Sequence, residues 1–216
     1  MMGLVGMLIR VPAILLALTV HEYAHAKAAS AMGDPTSRMQ GRMTLNPLSH
    51  IDPMGFLCLL LAGFGWAKPV PINPYFFSNP RRGMMWSSAA GPLANLAAAA
   101  ACAGVFRVLG SSEGLLAGLL AVGIFYNVTL ALFNLLPIPP LDGSHVLKGL
   151  LSPQAAAAFS RYDRLLMYGL FGVILLDALF HTGLIGRLLM EPVLEIFRFL
   201  GGKEALLALV RMFRGV

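Results

Sequence analysis

Four long apolar segments dominate this sequence, and each is long enough to cross a lipid bilayer as a helix. They cover residues 4–31, 84–109, 115–136 and 165–185, and about 20 apolar residues suffice for one span. Charged residues make up 12% of the chain, against roughly 25% in a soluble domain. Part of the apolar surface must therefore face lipid. The sequence predicts an all-α integral membrane protein, a polytopic helix bundle in a single domain over residues 1–216.

The stretches between the spans predict three smaller elements. Residues 54–65 are apolar but too short for an ordinary span, which favours a re-entrant segment. Residues 66–74 contain three prolines, so we expect an extended segment and a small membrane-associated β element. Residues 188–200 have an apolar face and a charged face, typical of a helix in the membrane interface. The catalytic core is placed at about 4–148 and the C-terminal helices at about 160–213.

The basic residues explain the net charge of +6 without a nucleic-acid partner, because they lie mostly between the apolar segments. An excess of Lys and Arg marks cytoplasmic loops. One cytoplasmic face then receives the ends of the first and third spans and the start of the second, and residues 54–65 dip in without crossing. The basic residues that set this orientation are Lys27, Arg38, Arg42, Arg81, Arg82 and Lys148.

The first span carries the motif His21-Glu22-Tyr23-Ala24-His25. Two histidines four residues apart lie on one helix face and can bind one Zn²⁺. Glu22 lies beside that face, where it can act as general base on a water molecule. Ionisable side chains within a membrane are costly and are usually retained for function. The motif therefore predicts a metal site rather than a chance match.

Asp142 is the predicted third zinc ligand, because it follows a proline-broken helix end on the same side of the membrane. Irregular backbone at membrane depth is tolerated where it lines an enclosed cavity. His145 is the second choice, although we expect it to begin the next helix and support the site. The remaining candidates are His50, Asp52 and His181.

Two asparagines in the spans also bear on the site. Asn134 lies in the last turns of the third span, eight residues before Asp142. It is either a hydrogen bond between helices or a donor to the oxyanion of the reaction. Asn95 is expected to pack or to support the site, as are His50 and His145.

The motif HEYAH at residues 21–25, together with NLLPIPPLDG at residues 134–143, resembles the site-2 proteases, which are intramembrane zinc metalloproteases. The stretches LNPLSHIDP at 45–53, GWAKPVP at 65–71 and AGPLAN at 90–95 look like the compact bacterial branch, which has no PDZ or CBS domain.

That resemblance implies a core of three membrane helices with the metal below the cytoplasmic surface. It implies that His21, His25 and Asp142 hold one Zn²⁺ per chain. It also implies that Glu22 is the catalytic base and that Asn134 contacts the oxyanion or the substrate.

The predicted function is hydrolysis of peptide bonds in membrane-embedded or membrane-adjacent substrates. The enzyme would be a multi-pass protein of the cell membrane with its active site near the cytoplasmic face. A membrane protein or peptide substrate could add as a strand along Trp66, Lys68, Pro69 and Val70. The sequence makes no prediction of oligomeric state.

Two other functions compete with the protease. A membrane metal transporter or metal-binding sensor would spread histidines and carboxylates along a crossing path, whereas here they cluster near one face. An inactive, substrate-holding relative would have no need of Glu22.

Overall fold

The computed structural model describes residues 4–62, 65–110 and 113–214, and the predicted all-α, membrane-type fold is confirmed within them. The helices are α1 (Leu4–Ala31), α2 (Thr36–Met39), α3 (Pro53–Ala62), α4 (Pro80–Leu109), α5 (Leu115–Asn134), α6 (Asp142–Leu150), α7 (Pro153–Ser160), α8 (Asp163–Phe180) and α9 (Leu184–Arg214).

Two helices in the described ranges, α4 and α5, are long and apolar enough to cross a membrane, and α8 with α9 makes a third crossing if the bent pair acts as one. With 28 residues, α1 measures about 42 Å, which exceeds the hydrocarbon core of about 30 Å. The helix predicted at 165–185 ends earlier than expected. Helix α8 stops at Phe180, His181 leaves the helix with a φ of 51°, and the chain bends by 100° before α9.

The core lies between α4, α5 and α9. Alanines such as Ala99 and Ala121 are fully buried there, and small side chains let membrane helices approach closely. The apolar face predicted near 188–200 exists, but it packs into this core rather than facing the membrane interface. Val193 and Phe197 of α9 are 1% and 0% exposed, so their contacts are with protein.

The small β element is not supported in the described ranges. Ile51 and Ala67 form an isolated antiparallel bridge, beside which the Lys68 N–H donates to the His50 carbonyl over 2.8 Å. Prolines follow at once in the second segment, at positions 69 and 71. A ladder cannot continue through residues that have no N–H.

The bridge brings together the two ends of the segment predicted to re-enter. Within it, α3 has 10 residues and is about 15 Å long. A Cβ on Gly55 would lie 2.2 Å from the Trp66 carbonyl oxygen, so the chain returns against the start of α3. Entry and exit at one level suit a re-entrant segment, and its depth in a bilayer stays a prediction.

Close packing fixes α6, which begins with Asp142. Arg81 of α4 donates to the carbonyls of Lys148 and Gly149, over 3.1 and 2.8 Å. At the other end, a Cβ on Gly143 would lie 2.2 Å from the Leu135 carbonyl oxygen. The proline-rich loop therefore folds directly over the start of α6 and holds Asp142 in place.

Candidate active site

His21, His25 and Asp142 converge although they come from two distant parts of the chain. Nε2 of His21 lies 3.0 Å from Oδ2 of Asp142, and Nε2 of His25 lies 3.2 Å from the same oxygen. The two Nε2 atoms are 2.9 Å apart. The two histidines are one turn apart on α1, and α6 brings the carboxylate. Both imidazoles are buried, so the cluster is enclosed.

The neighbours of the two imidazoles define their protonation. Nδ1 of His21 lies 2.7 Å from Oδ1 of Asn95, and Nδ1 of His25 lies 2.7 Å from the Ser87 carbonyl. Both oxygens can only accept, so each Nδ1 carries the proton and donates it. In a neutral imidazole, Nε2 then carries no proton and presents a lone pair.

Two nitrogen lone pairs and a carboxylate therefore face one another. Oδ2 of Asp142 is buried and has the two Nε2 atoms 3.0 and 3.2 Å away. Such a cluster is repulsive unless a cation lies between its members. Two ligands about 2.1 Å from one tetrahedral zinc ion are about 3.4 Å apart, close to the observed spacing. The donor set fits zinc.

Helix α4 approaches these rings through a glycine. A Cβ on Gly91 would lie 2.5 Å from Nε2 of His25 and 2.7 Å from Cε1 of His21. Any larger residue would displace the imidazoles. Small residues such as Gly91 allow membrane helices to approach closely, and here the close approach brings α4 against the site.

A buried chain of hydrogen bonds orients Asn95. Its Nδ2 donates to the Ala17 carbonyl over 2.9 Å and to Oδ1 of Asn127 over 2.8 Å. Asn127 in turn donates to the Gly123 carbonyl. The network joins α1, α4 and α5 and leaves Oδ1 of Asn95 as the acceptor for His21. Asn95 therefore contacts His21, and its supporting role in a metal site stays a prediction.

Sequence reasoning missed Asn127 and Ser87. Asn127 could have been found as a second buried amide in an apolar span. Ser87 acts through its backbone carbonyl, which every residue has, so its side-chain type gives no signal.

Glu22 is buried beside the cluster, and its Oε2 accepts a hydrogen bond from the Val70 N–H over 2.8 Å. Val70 lies between Pro69 and Pro71, neither of which has an N–H. Its amide is therefore the one backbone donor in that tripeptide, and the prolines hold the chain extended around it.

The rest of the extended segment is bound to other parts of the protein. Arg42 donates to the carbonyls of Lys68 and Pro69, over 2.7 and 3.3 Å. Asn73 donates its N–H to Asp34 over 2.7 Å. A substrate strand at residues 66–70, which stays a prediction, would have to share the carbonyls that Arg42 already binds.

The other predicted residues are not members of the three-residue cluster. Asn134 donates to the Leu130 carbonyl of its own helix over 3.0 Å. His145 is in α6, as expected, and burial, with Lys148 nearby, lowers its pKa and keeps it neutral. His181 ends α8. Among the described residues, His21, His25 and Asp142 form the one group of three or more potential ligands close enough to hold a metal.

Comparison with known proteins supports a zinc enzyme. A family model described as Peptidase family M50 matches residues 110–176. The chain is 37% identical to YwhC of Bacillus subtilis, named as a zinc metalloprotease, over 91% of this chain and 88% of the relative. It is 30% identical to Rip2 of Mycolicibacterium smegmatis, also named as a zinc metalloprotease, over 87% of this chain and 72% of the relative. No solved structure matches the chain significantly.

Proposed function

This chain belongs to peptidase family M50, the site-2 proteases, and is a zinc metalloprotease; on that premise we propose that it hydrolyses peptide bonds within or beside the membrane with Glu22 as general base. The observation that carries the proposal is the convergence of the His21, His25 and Asp142 ligand atoms, all within 4.8 Å of one another, next to a buried carboxylate.

The three ligands have distinct duties in this proposal. His21 and His25 present neutral nitrogen lone pairs, and Asp142 supplies a negative charge. Zinc held by them supplies a Lewis acid that polarises the scissile carbonyl and acidifies water. Asn95 and Ser87 keep the imidazoles in the tautomer that binds metal, a task that such outer partners commonly perform.

Glu22 moves the proton. As a carboxylate it takes a proton from the attacking water, and as a carboxylic acid it returns that proton to the leaving amine nitrogen. The Val70 N–H holds Oε2, so we expect Oε1 to carry the proton. Burial of the side chain keeps bulk water from competing for it.

Asn134 is proposed to donate a hydrogen bond to the oxyanion. An amide group has two N–H donors, and the Leu130 carbonyl occupies one of them. The other can serve the substrate without breaking the helix contact.

The membrane setting favours substrates that are membrane proteins, or peptides embedded in the membrane or next to it. We place the site near the cytoplasmic face. The support is the positive charge at the end of α1, where Lys27, Arg38 and Arg42 follow the metal ligands.

The proposal is tested with purified protein in zinc-loaded proteoliposomes. A pool of single-span peptides is added, and mass spectrometry locates new termini. Glu22→Gln should abolish cleavage, a loss of at least about 100-fold, while it keeps one zinc per chain by elemental analysis. Glu204→Gln makes the same chemical change at an exposed position of α9 and should cleave like wild type.

Two results would contradict the proposal. Equal cleavage by wild type and Glu22→Gln would remove Glu22 as the base. Zinc flux across the vesicle membrane without any peptide cleavage would favour the transporter.

A further inference from the structure

The chain just after α1 contains another buried carboxylate, Asp34, which is 1% exposed. Its own N–H donates to the Ala29 carbonyl over 3.0 Å, so Asp34 is fixed to the end of α1. Gly33 makes the turn between them with a φ of 105°, a conformation that glycine adopts without steric cost. The carboxylate is therefore held in place relative to Glu22, which lies in the same helix.

Both oxygens of Asp34 accept hydrogen bonds, and they serve different parts of the chain. Oδ1 accepts from the N–H of Thr36 over 2.9 Å and also from its hydroxyl, which closes a local turn. Oδ2 accepts the Asn73 N–H over 2.7 Å, from a residue 39 positions away. The first oxygen holds the turn after α1, and the second binds the extended segment.

Ser37 binds the same segment one residue beyond Val70. Ser37 is 1% exposed, and its hydroxyl donates to the Pro71 carbonyl. Together with Asp34 and Glu22, it contacts the segment at three points within four residues. All three side chains belong to α1 or to the short stretch that follows it, so one end of α1 holds the whole segment.

Prolines make this segment stiff, so a contact at Asn73 also affects Val70. Residues 69, 71 and 74 are prolines, and each ring fixes its own φ and restricts the residue before it. The restricted residues include Val70 and Asn73 themselves. Because few backbone torsions remain free, a shift of the segment at Asn73 would move the Val70 N–H away from Glu22.

We propose that Asp34 and Ser37 are positioning residues for the general base. They hold the extended segment against α1, so that the Val70 N–H stays on Oε2 of Glu22 and the carboxylate keeps one orientation. The effect on turnover rests on the proposed protease function, whereas the effect on the Val70 amide does not.

Three substitutions separate the positioning contacts from the local turn. In Asp34→Ser the hydroxyl can still accept the Thr36 N–H in the same kind of turn, but the shorter side chain does not reach Asn73. Thr36→Val is the matched control, because it removes one donor to Asp34 and leaves Asn73 bound. Ser37→Ala removes the second contact alone, with a smaller change to the buried groups.

Hydrogen exchange of the Val70 amide tests the proposal without a substrate. With ¹³C-carbonyl proline and ¹⁵N-valine, a spectrum that selects Pro–Val pairs contains two signals, from Val70 and from Val193 of α9. Val70→Ala identifies the first signal, and Val193 reports the stability of the bundle. Asp34→Ser should speed the exchange of Val70 by about 10-fold, the value of one hydrogen bond to a charged group, and leave Val193 unchanged.

The two other variants complete the exchange experiment. Ser37→Ala should also speed the exchange of Val70 alone, and Thr36→Val should exchange like wild type. A wild-type rate for Val70 in Asp34→Ser or in Ser37→Ala would remove that residue from the proposal. Equal acceleration of Val70 and Val193 would show that the contacts only stabilise the fold, which also overturns it.

A double-mutant cycle tests the consequence for Glu22. Asp34→Ser should lower kcat by about 10-fold, with KM and zinc content unchanged. In the Val70→Pro background there is no N–H to position, so the same substitution should change kcat by less than about 2-fold. Effects that simply multiply would overturn the link to Glu22. If wild type cleaves no peptide at all, the protease proposal fails, and the exchange rates still decide whether Asp34 and Ser37 position the amide.

Discussion

Nδ1 of His21 donates to Oδ1 of Asn95 over 2.7 Å, from α1 to α4 across 74 residues of sequence. Asn95 is 0% exposed, and its side-chain N–H groups donate to the Ala17 carbonyl and to Oδ1 of Asn127. The orientation of a metal ligand is thus tied to the packing of three helices. Zinc binding and the assembly of the bundle should therefore depend on each other.

Replacement of Asn95 should weaken zinc binding without removing a ligand. Asn95→Leu leaves the His21 N–H without an acceptor, and we expect a loss of about 10–100-fold in zinc affinity and of about 1–3 kcal/mol in unfolding free energy. Asn95→Asp keeps an acceptor and should bind zinc more tightly than Asn95→Leu. Chelator competition measures the affinities. Equal affinity in the two variants would show that the acceptor does not matter.

A methyl group at Gly91 should disrupt the metal site. Its Cβ would lie 2.5 Å from the His25 ring, so Gly91→Ala should lower zinc content and activity together. The matched control is Gly104→Ala on the same helix, where a Cβ meets nothing within 4 Å. That control should keep full zinc and gain up to about 1 kcal/mol from helix propensity. Full zinc content in Gly91→Ala would contradict the geometry.

Loss of the Asp142 charge should cost more than loss of a supporting residue. Asp142→Asn keeps the shape of the side chain but removes the anion, so we expect zinc affinity to fall by more than about 100-fold, beyond the range for outer partners. Asp177→Asn is the control, because Asp177 bonds to Thr182 and Leu184 at the far end of α8. Titration with zinc after chelation checks both. Wild-type affinity in Asp142→Asn would exclude it as a ligand.

The Val70 amide should affect turnover rather than metal binding. Val70→Pro removes the N–H that holds Glu22, and a hydrogen bond to a charged group is worth about 1.5–3 kcal/mol. We expect kcat to fall by roughly 10- to 100-fold with zinc content and KM unchanged. Val70→Ala keeps the N–H and should retain most of the activity. A similar kcat in the two variants would mean that Glu22 needs no such donor.

Local patterns in the sequence determined much of this protein. Hydropathy predicted the long helices, because a long apolar segment in lipid can satisfy its backbone hydrogen bonds only as a helix. The pairing of His21 with His25 followed from the helical repeat, which puts residues four apart on one face. The ends of the helices were predicted less accurately than their positions. The predicted fourth span ran on to residue 185, whereas α8 ends at Phe180 and His181 has a left-handed φ of 51°.

Only the tertiary structure decided which distant groups meet. The Ser87 carbonyl and the Val70 N–H are backbone groups, so no side-chain pattern marks them. Asn127 is linked to the site through its hydrogen bond with Asn95. The apolar face of α9 packs against α5 in the core. Periodicity fixes which way a side chain points from its own helix. The partner that it meets depends on how helices pack, and that is a property of the whole chain.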